Sequence, residues 1–307
     1  MHTPWNSVAL ESLGVLRASG PEARKFLQGQ LSNDMARLTP ERALLAGYHN
    51  AQGRAIALLR VMELAPDELL AILPRELVAA VITRLSRFIL RAKVKLSDAS
   101  AEWQVLGLLA PASATADASP YAGLLPALAS GVHRVADGHI LRLGESAARL
   151  LLVRPVNSTA LAGQAPLSLA HWQLGAIAAG EPQVYAATSE EFVAQMLNLD
   201  VLEGISFEKG CYTGQEIIAR AHFRGRVKRR MQRFITAEAA ALRPDDAVQL
   251  ADGRPARVVD AAAHADGRCE FLAVAALTGA AGATDAPAQG AAILHATQLP
   301  LPYALPE

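Results

Sequence analysis

Cysteine is scarce in this sequence. Its 307 residues include two cysteines, Cys211 and Cys269, which lie far apart in the chain. Disulfide scaffolds use several cysteines in an oxidising compartment, and cysteine-based metal sites bring their ligands in with short, recognisable spacings. The sequence therefore predicts neither a disulfide framework nor a metal site, and it favours a reducing compartment.

Long apolar runs are also missing. The stretch AIALLRVMELA is interrupted by Arg60 and Glu63, and no stretch approaches the ~18 apolar residues that a membrane-spanning helix needs. The first residues, MHTPWNSVALESLG, show no basic segment followed by an apolar one, so they do not resemble a secretory signal. We expect a soluble cytoplasmic protein that makes no membrane contact.

The charges show no excess of either sign. Lys and Arg together number 29, as do Asp and Glu, so there is no global attraction to nucleic acid or to anionic membranes. Any anion-binding site must come from local clustering. Hydrophobic residues make up 51% of the chain, which supplies enough apolar material for folded cores, and the length predicts two or three domains.

Apolar periodicity and turn residues predict a mixture of helices and strands. AIALLRVMEL and ELLAILP indicate two strands joined by the turn APDE, and EWQVLGLLAP, HILRLG and RLLLVRP indicate three more. ELVAAVITRLSRF has apolar residues at helical spacing. SLAHWQLGAIAAG predicts a helix that ends near Gly180, with Trp172 as a core residue. The Ala- and Pro-rich stretch at 111–131 predicts a loop or a weak helix.

Three helix starts are predicted by capping-box patterns, in which Ser or Thr is followed three residues later by Glu. They begin at Ser19, Thr188 and Thr213. After Arg230 the pattern changes to short apolar runs between turn signals, which is typical of a small antiparallel barrel or sandwich. We expect an α+β fold with domains at 1–100, 101–230 and 231–307.

The stretch KGCYTGQEIIAR carries the strongest local signal for chemistry. Cys211 should lie just before a helix N-terminus, where free backbone N–H groups and the helix dipole favour an anion. Lys209 adds a positive charge, so both features favour the thiolate form. Gly210 and Gly214 permit a close backbone approach to a ligand. The alternative is a small buried cysteine in a glycine turn.

A run of cations at every second position follows. On an extended strand these side chains would share one face and suit an anion such as phosphate, a polyglutamate tail or an RNA backbone. The alternative is a solvated edge strand protected by its charges. The run comprises Arg220, His222, Arg224, Arg226, Lys228 and Arg230. A second polar stretch, GYHNAQGRA, predicts a turn with His49 and Asn50 at its tip.

One long segment resembles a known family. GISFEKGCYTGQEIIARAHFRGRVKRRM resembles the signature of the folate-binding YgfZ family, relatives of the glycine-cleavage aminomethyltransferase. FLQGQLSND, AAGEPQVYAATSEEFVAQMLNLD and LPLPYAL resemble further segments of that family. The resemblance implies an aminomethyltransferase-like fold of several domains around a central opening. It also implies a C-terminal antiparallel β-barrel and binding of tetrahydrofolate or a derivative.

The resemblance implies an accessory role more than a catalytic one. Family members are expected to support the assembly or repair of iron–sulfur clusters in client enzymes, including radical enzymes that thiolate tRNA. Cys211 matches the family's key thiol and Lys209 the adjacent lysine. Partners would be a folate, iron–sulfur client proteins and, weakly, nucleic acid. We expect folate contacts from Gln30, Asn33, Asp34, Tyr212, Gln215, Arg220 and Arg224.

Two departures bear on activity. The related transferases use an aspartate on an early strand, where GRAIALLRV has Ala57 and Leu58. They also use a glutamate in an RIEAG-like stretch, where AIAAG has Ala176 and Ala178. Alkyl side chains cannot hold or relay a proton, which speaks against one-carbon transfer and leaves enzyme activity open. Folate-dependent transfer and direct RNA binding remain the alternative functions.

Overall fold

The computed structural model describes residues 5–109, 130–144, 149–158, 165–225, 227–277 and 292–306. Most of the stretch predicted as a loop or weak helix at 111–131, and Arg226 of the cationic run, lie outside these residues. Within the described ranges, no helix has the length and apolar character needed to cross a membrane.

The helices are α1 Ala23–Gln28, α2 Arg75–Ser86, α3 Leu169–Ala178 and α4 Gln215–Phe223. The strands are β1 Asn6–Ala9, β2 Leu13–Ser19, β3 Leu44–His49, β4 Ala55–Ala65, β5 Glu68–Pro74, β6 Lys95–Asp98, β7 Trp103–Leu109, β8 Val132–Val135, β9 Gly138–Arg142, β10 Arg149–Pro155, β11 Ala165–Pro166, β12 Arg229–Ala239, β13 Ala247–Leu250, β14 Pro255–Ala263, β15 Arg268–Ala276, β16 Ala292–Leu294 and β17 Ala296–Leu299.

The chain divides into two compact units. The first comprises Met1–Ala46 and Leu59–Trp172, and the second comprises Gly47–Leu58 and Gln173–Glu307. The predicted division into 1–100, 101–230 and 231–307 stays a prediction.

A six-stranded sheet of order β11-β1-β7-β10-β9-β8 forms much of the first unit. The strands predicted from EWQVLGLLAP, HILRLG and RLLLVRP are confirmed as β7, β9 and β10. Trp172 is buried in the core of this unit, as predicted. Its indole lies against Gly107, where an added Cβ would come within 2.6 Å of the ring. A glycine in β7 therefore makes room for this tryptophan.

A five-stranded sheet has the order β3-β4-β5-β2-β6. The strands predicted from AIALLRVMEL and ELLAILP are confirmed as the antiparallel pair β4 and β5. The helix predicted from ELVAAVITRLSRF is confirmed as α2, which buries Leu77, Val78, Val81 and Leu85 at helical spacing. It ends at Ser86, so Phe88 lies beyond it and is exposed. Residues 47–58, which are the end of β3, the turn that follows and the start of β4, belong to the second unit.

The C-terminal sheet is nearly closed, as expected of a barrel. Its order is β16-β13-β14-β15-β12-β17. The two edge strands, β16 and β17, are separated along the chain by His295 alone. Since successive strands of the chain occupy opposite edges, the sheet must curl back on itself. One pair, β13 with β16, is parallel, and the remaining pairs between the described strands are antiparallel.

The helix predicted after Ser19 is confirmed as α1 but its predicted cap is wrong, and the helix predicted at Thr188 is wrong. Ser19 ends strand β2, and α1 begins after Glu22 without a side-chain cap. The segment after Thr188 forms short 3-10 turns instead of an α-helix. The Thr188 hydroxyl is already engaged in the preceding turn, where it accepts a 2.9 Å hydrogen bond from the Tyr185 backbone N–H.

Asp260 is a buried acid on β14. Its carboxylate accepts hydrogen bonds from the Tyr185 hydroxyl at 3.0 Å and from the Ala261 backbone N–H at 2.9 Å. Burial raises the pKa of this carboxyl from 3.8 to about 6 in spite of these two donors. A raised pKa in the folded state means that protonated Asp260 stabilises the fold. That contribution is complete below pH 4 and disappears as the pH rises through 6.

We expect Asp260→Asn to remove this pH dependence, because a neutral amide has no charge to desolvate. Wild type should lose up to about 3 kcal/mol of unfolding free energy relative to the variant between about pH 4 and pH 7. Urea denaturation at a series of pH values measures the difference. Parallel curves for the two proteins would contradict the assignment.

Candidate functional site

Cys211 is an exposed free thiol, whereas Cys269 is buried on β15. The prediction that Cys211 lies just before a helix is confirmed, because α4 begins at Gln215. The predicted Thr213 cap is wrong. The N-cap residue is Gly214, with a φ of +83° and no side-chain cap. The free N–H groups of the first turn therefore receive no side-chain oxygen from the N-cap residue.

Gly214 fits directly against the turn of the β3–β4 hairpin. A Cβ at Gly214 would clash with the carbonyl oxygen of Asn50 and lie 3.1 Å from the Cα of Gly53. Its φ of +83° is also in the region that favours glycine. A Cβ at Gly53 would lie 3.2–3.3 Å from the side chains of Ile217 and Ile218 in the first turn of α4. Two glycines thus let the loop and the turn meet backbone to backbone.

The turn itself is tied to the segment at 189–193. The Asn50 side-chain amide donates to Glu190 Oε2 at 2.7 Å, and its oxygen accepts from the backbone N–H groups of Gln52 and Arg54. The Arg54 guanidinium donates to the backbone carbonyl of Glu191. The turn is therefore fixed on the side of 189–193 as well as on the side of α4.

Lys209 and Tyr212 flank the thiol. Lys209 is 8% exposed, and its Nζ lies 5.0 Å from the centre of the Tyr212 ring, within the range of a cation–π interaction. Burial raises the pKa of Tyr212 to about 12, so the phenol is neutral at physiological pH. The loop thus presents Cys211 to solvent between two buried anchoring side chains.

His49 lies beside Tyr212 and was not predicted as a site residue. It ends strand β3 inside the protein rather than at the tip of the turn, and its ring centre is 6.5 Å from that of Tyr212. Burial lowers the pKa of His49 to about 3, and the nearby Gly47 backbone, which raises that pKa, offsets only part of the effect. Neither ring nitrogen has a well-aligned hydrogen-bond partner among the described residues. A histidine that ends an apolar strand gives no sequence signal for this position.

The extended cationic strand predicted after the thiol stretch is wrong. Arg220 and His222 belong to helix α4, and strand β12 begins only at Arg229. Arg230 is buried, and its guanidinium pairs with Asp200 at 2.8 Å. Buried Ile218 gives α4 an inward-facing side, which favours a helix over an extended strand as far as Phe223. Arg220 and Arg224 are exposed and Arg230 is buried, so the described cations of the run do not share one face.

Arg220 and Arg224 are exposed at the C-terminal end of α4. Within the described residues, neither guanidinium forms an ion pair. Gln215 is the first residue of α4 and is partly buried. A folate contact for these three residues, and for Tyr212, stays a prediction.

The remaining predicted folate residues belong to the first unit. The Asn33 amide donates to the Leu45 carbonyl at 2.7 Å. Asp34 accepts from Gln28 at 3.0 Å and from the Ala36 backbone N–H at 3.1 Å, which caps a 3-10 turn. These contacts give both residues structural roles. The side-chain carbonyl of Gln30 is buried and has no hydrogen-bond donor among the described residues.

In the described part of the chain, no cluster of three or more His, Cys, Asp or Glu side chains is placed to hold a metal ion. Ala57 and Leu58, at the position where the resemblance implies an acid in transferases, are buried apolar residues of β4.

Comparison with known proteins decides the family. No family model matches the chain. The tRNA-modifying protein YgfZ of Klebsiella pneumoniae (strain 342) is 36% identical over 233 residues, which cover 74% of this chain and 70% of that protein. The chain belongs to the YgfZ family. This confirms the family resemblance. The roles predicted for Cys211 and Lys209 from that resemblance stay predictions.

The fold is shared with an enzyme of known structure. The glycine cleavage system aminomethyltransferase T from Bartonella henselae superposes with a TM-score of 0.68. The match covers 90% of this chain and 80% of that protein at 15% sequence identity. The predicted aminomethyltransferase-like α+β fold is therefore confirmed. At this level of identity the likeness concerns the fold alone.

The different burial of the two cysteines predicts the number of reactive thiols. In the native protein we expect an aromatic disulfide reagent to modify one thiol quickly and the second only after unfolding, because Cys269 is shielded. Absorbance of the released thiolate measures both phases. Cys211→Ser should abolish the fast phase, and two fast thiols, or none, in the wild type would contradict this assignment.

Proposed function

We propose that the chain is a folate-binding accessory protein that supports the assembly or repair of iron–sulfur clusters in client enzymes, among them enzymes that thiolate tRNA. The observation that carries the proposal is the exposed free thiol of Cys211, held on an anchored loop in front of a helix whose N-cap has no side-chain oxygen. The relative from Klebsiella pneumoniae is named a tRNA-modifying protein, which supports the choice of clients.

The thiol would work as a single ligand or exchange partner. Iron–sulfur clusters are held by several cysteine thiolates, whereas the second cysteine of this chain is buried. Any further ligand, or the thiol that resolves a mixed disulfide, must therefore come from the client protein. Lys209 would keep the loop positively charged and hold it on the Tyr212 ring. We expect the protein to act in the cytoplasm, together with tRNA and its modifying enzymes.

Folate-dependent aminomethyl transfer is the alternative, and the shared fold favours it. It would need a general acid or base near the folate. The two positions at which the resemblance implies carboxylates carry alkyl groups, in β4 at Ala57 and in α3 at Ala176 and Ala178. An accessory role for the same fold is therefore the better-supported proposal.

Some side chains present fit the parts of a folate. A folate ends in carboxylates, and Arg220 and Arg224 offer exposed guanidinium groups without ion pairs among the described residues. When bound, the folate would supply a one-carbon carrier, and Arg220 and Arg224 would only hold and orient its carboxylates.

We expect Cys211→Ala to abolish function in cells while leaving the fold intact, because the side chain is exposed. The measurement is restoration of tRNA thiolation in a bacterial strain that lacks its own YgfZ protein. Cys269→Ala is the matched control, since it removes the other thiol and should restore thiolation as wild type does. Full restoration by Cys211→Ala would refute a working thiol.

Folate binding can be tested separately by calorimetric titration with tetrahydrofolate and its one-carbon derivatives. We expect saturable binding to wild type and to Cys211→Ala. Arg220→Ala should bind less tightly by about tenfold, as is typical for the loss of one charge-assisted contact. The matched control is Arg243→Ala, which removes an exposed arginine of the C-terminal sheet region. No saturable binding to wild type would refute the folate part of the proposal alone.

A further inference from the structure

Three aromatic rings meet at the end of helix α4. The rings of Phe207 and His222 are stacked, with centres 3.8 Å apart and planes at 14°. Phe223 stands nearly perpendicular to both, at 5.9 Å from Phe207 and 4.7 Å from His222. The sequence singles out His222 only as a member of the cationic run, and it does not predict the ring cluster, because Phe207 is 15 residues before His222 in the chain.

Phe223 projects into solvent. Phe223 is 68% exposed, whereas a large aromatic residue such as phenylalanine usually contributes to a core. The two neighbouring rings support it from one side and leave much of its surface open. A single exposed phenylalanine would need no explanation, but a ring held in place by two others is a prepared platform.

Cations surround this platform. Arg220 lies one helical turn before Phe223, on the same side of α4, and Arg224 follows it directly. Lys228 is exposed just before β12 and accepts a 3.0 Å backbone hydrogen bond from Leu277. Among the described residues, these three cations form no ion pairs, so their charges are available to an anion.

Two exposed acids lie in the segments that border this platform. Glu216 is exposed at the start of α4, about 10 Å along the axis from Phe223. Glu208 is exposed next to Phe207. From Arg220 to Arg230 the chain contains five arginines, one lysine and no acid. The C-terminal end of α4 is therefore locally basic in a chain with no net charge.

We propose that this surface, made of Phe223 with its two supporting rings and of Arg220, Arg224 and Lys228, binds a single-stranded nucleic acid. A base would stack on Phe223, and the phosphates on either side would meet the cations. Single-stranded nucleic acids are bound in this way by exposed aromatic rings along a positively charged path.

The same features fit other partners less well. A membrane anchor needs a larger apolar area than one ring provides, and the apolar core of a protein interface is depleted of charged residues. Base stacking, in contrast, requires one accessible ring face and a nearby cation. Arg220 and Arg224 are shared with the proposed folate contacts, whereas Phe207, His222, Phe223 and Lys228 have no part in that proposal. Variants of Phe223 and Lys228 therefore test the nucleic-acid surface separately from folate binding.

Fluorescence anisotropy with a fluorescein-labelled single-stranded RNA tests the surface. We expect saturable binding to the wild-type chain that weakens with salt, with a log–log slope of about −2 for three phosphate contacts. Phe223→Ala should weaken binding about tenfold without changing the slope, whereas Phe223→Tyr should bind as wild type does. Lys228→Ala should weaken binding and reduce the slope by about 0.7.

Phe88→Ala is the matched control, because Phe88 is also an exposed phenylalanine, at 48%, and lies between exposed Arg87 and Arg91 in the first unit. It should bind as wild type does. The proposal is overturned if wild type does not bind at low salt, or if Phe88→Ala loses as much affinity as Phe223→Ala. It is also overturned if Phe223→Ala binds normally while Lys228→Ala does not, or if anionic vesicles bind at this surface and RNA fails to compete.

Discussion

The backbone contact between Gly214 and the turn at 50–53 is the constraint on which the candidate site depends. The positive φ of Gly214 and the absence of a side chain there let the loop reach the Asn50 carbonyl. The turn is held from the other side by Glu190 and by the backbone at Glu191. Residues far apart in the chain thereby fix the start of helix α4.

This arrangement explains how an exposed thiol can keep a defined position. Lys209 and Tyr212 are buried on either side of Cys211, and α4 begins three residues after Tyr212. Solvent exposure supplies access to a partner, and the anchored neighbours supply the geometry. At its other end, the same helix carries an aromatic and basic surface. One short helix therefore joins the proposed thiol chemistry of the family to a proposed binding surface.

Local features of this site could be predicted from the sequence, and contacts across the chain could not. The helix after Thr213, and the position of Cys211 just before it, follow from residues within one turn of each other. The sequence does not decide whether the thiol is exposed or buried. The cations from Arg220 to Arg230 were misread as a strand, because alternation over a few residues does not distinguish a helix flanked by loops from an extended segment. The burial of His49 and the stacking of Phe207 on His222 depend on tertiary packing, for which neither residue type gives a periodic signal.

Hydrogen exchange of the Gly214→Ala variant tests the central constraint most directly. Gly210→Ala is the control, because an added Cβ there has no atom within 4 Å. If the backbone contact fixes the site, amide exchange should accelerate in Gly214→Ala both at 209–223 and at 47–53, while the C-terminal sheet and the control keep wild-type rates. Unchanged exchange in those two segments of Gly214→Ala would contradict the account.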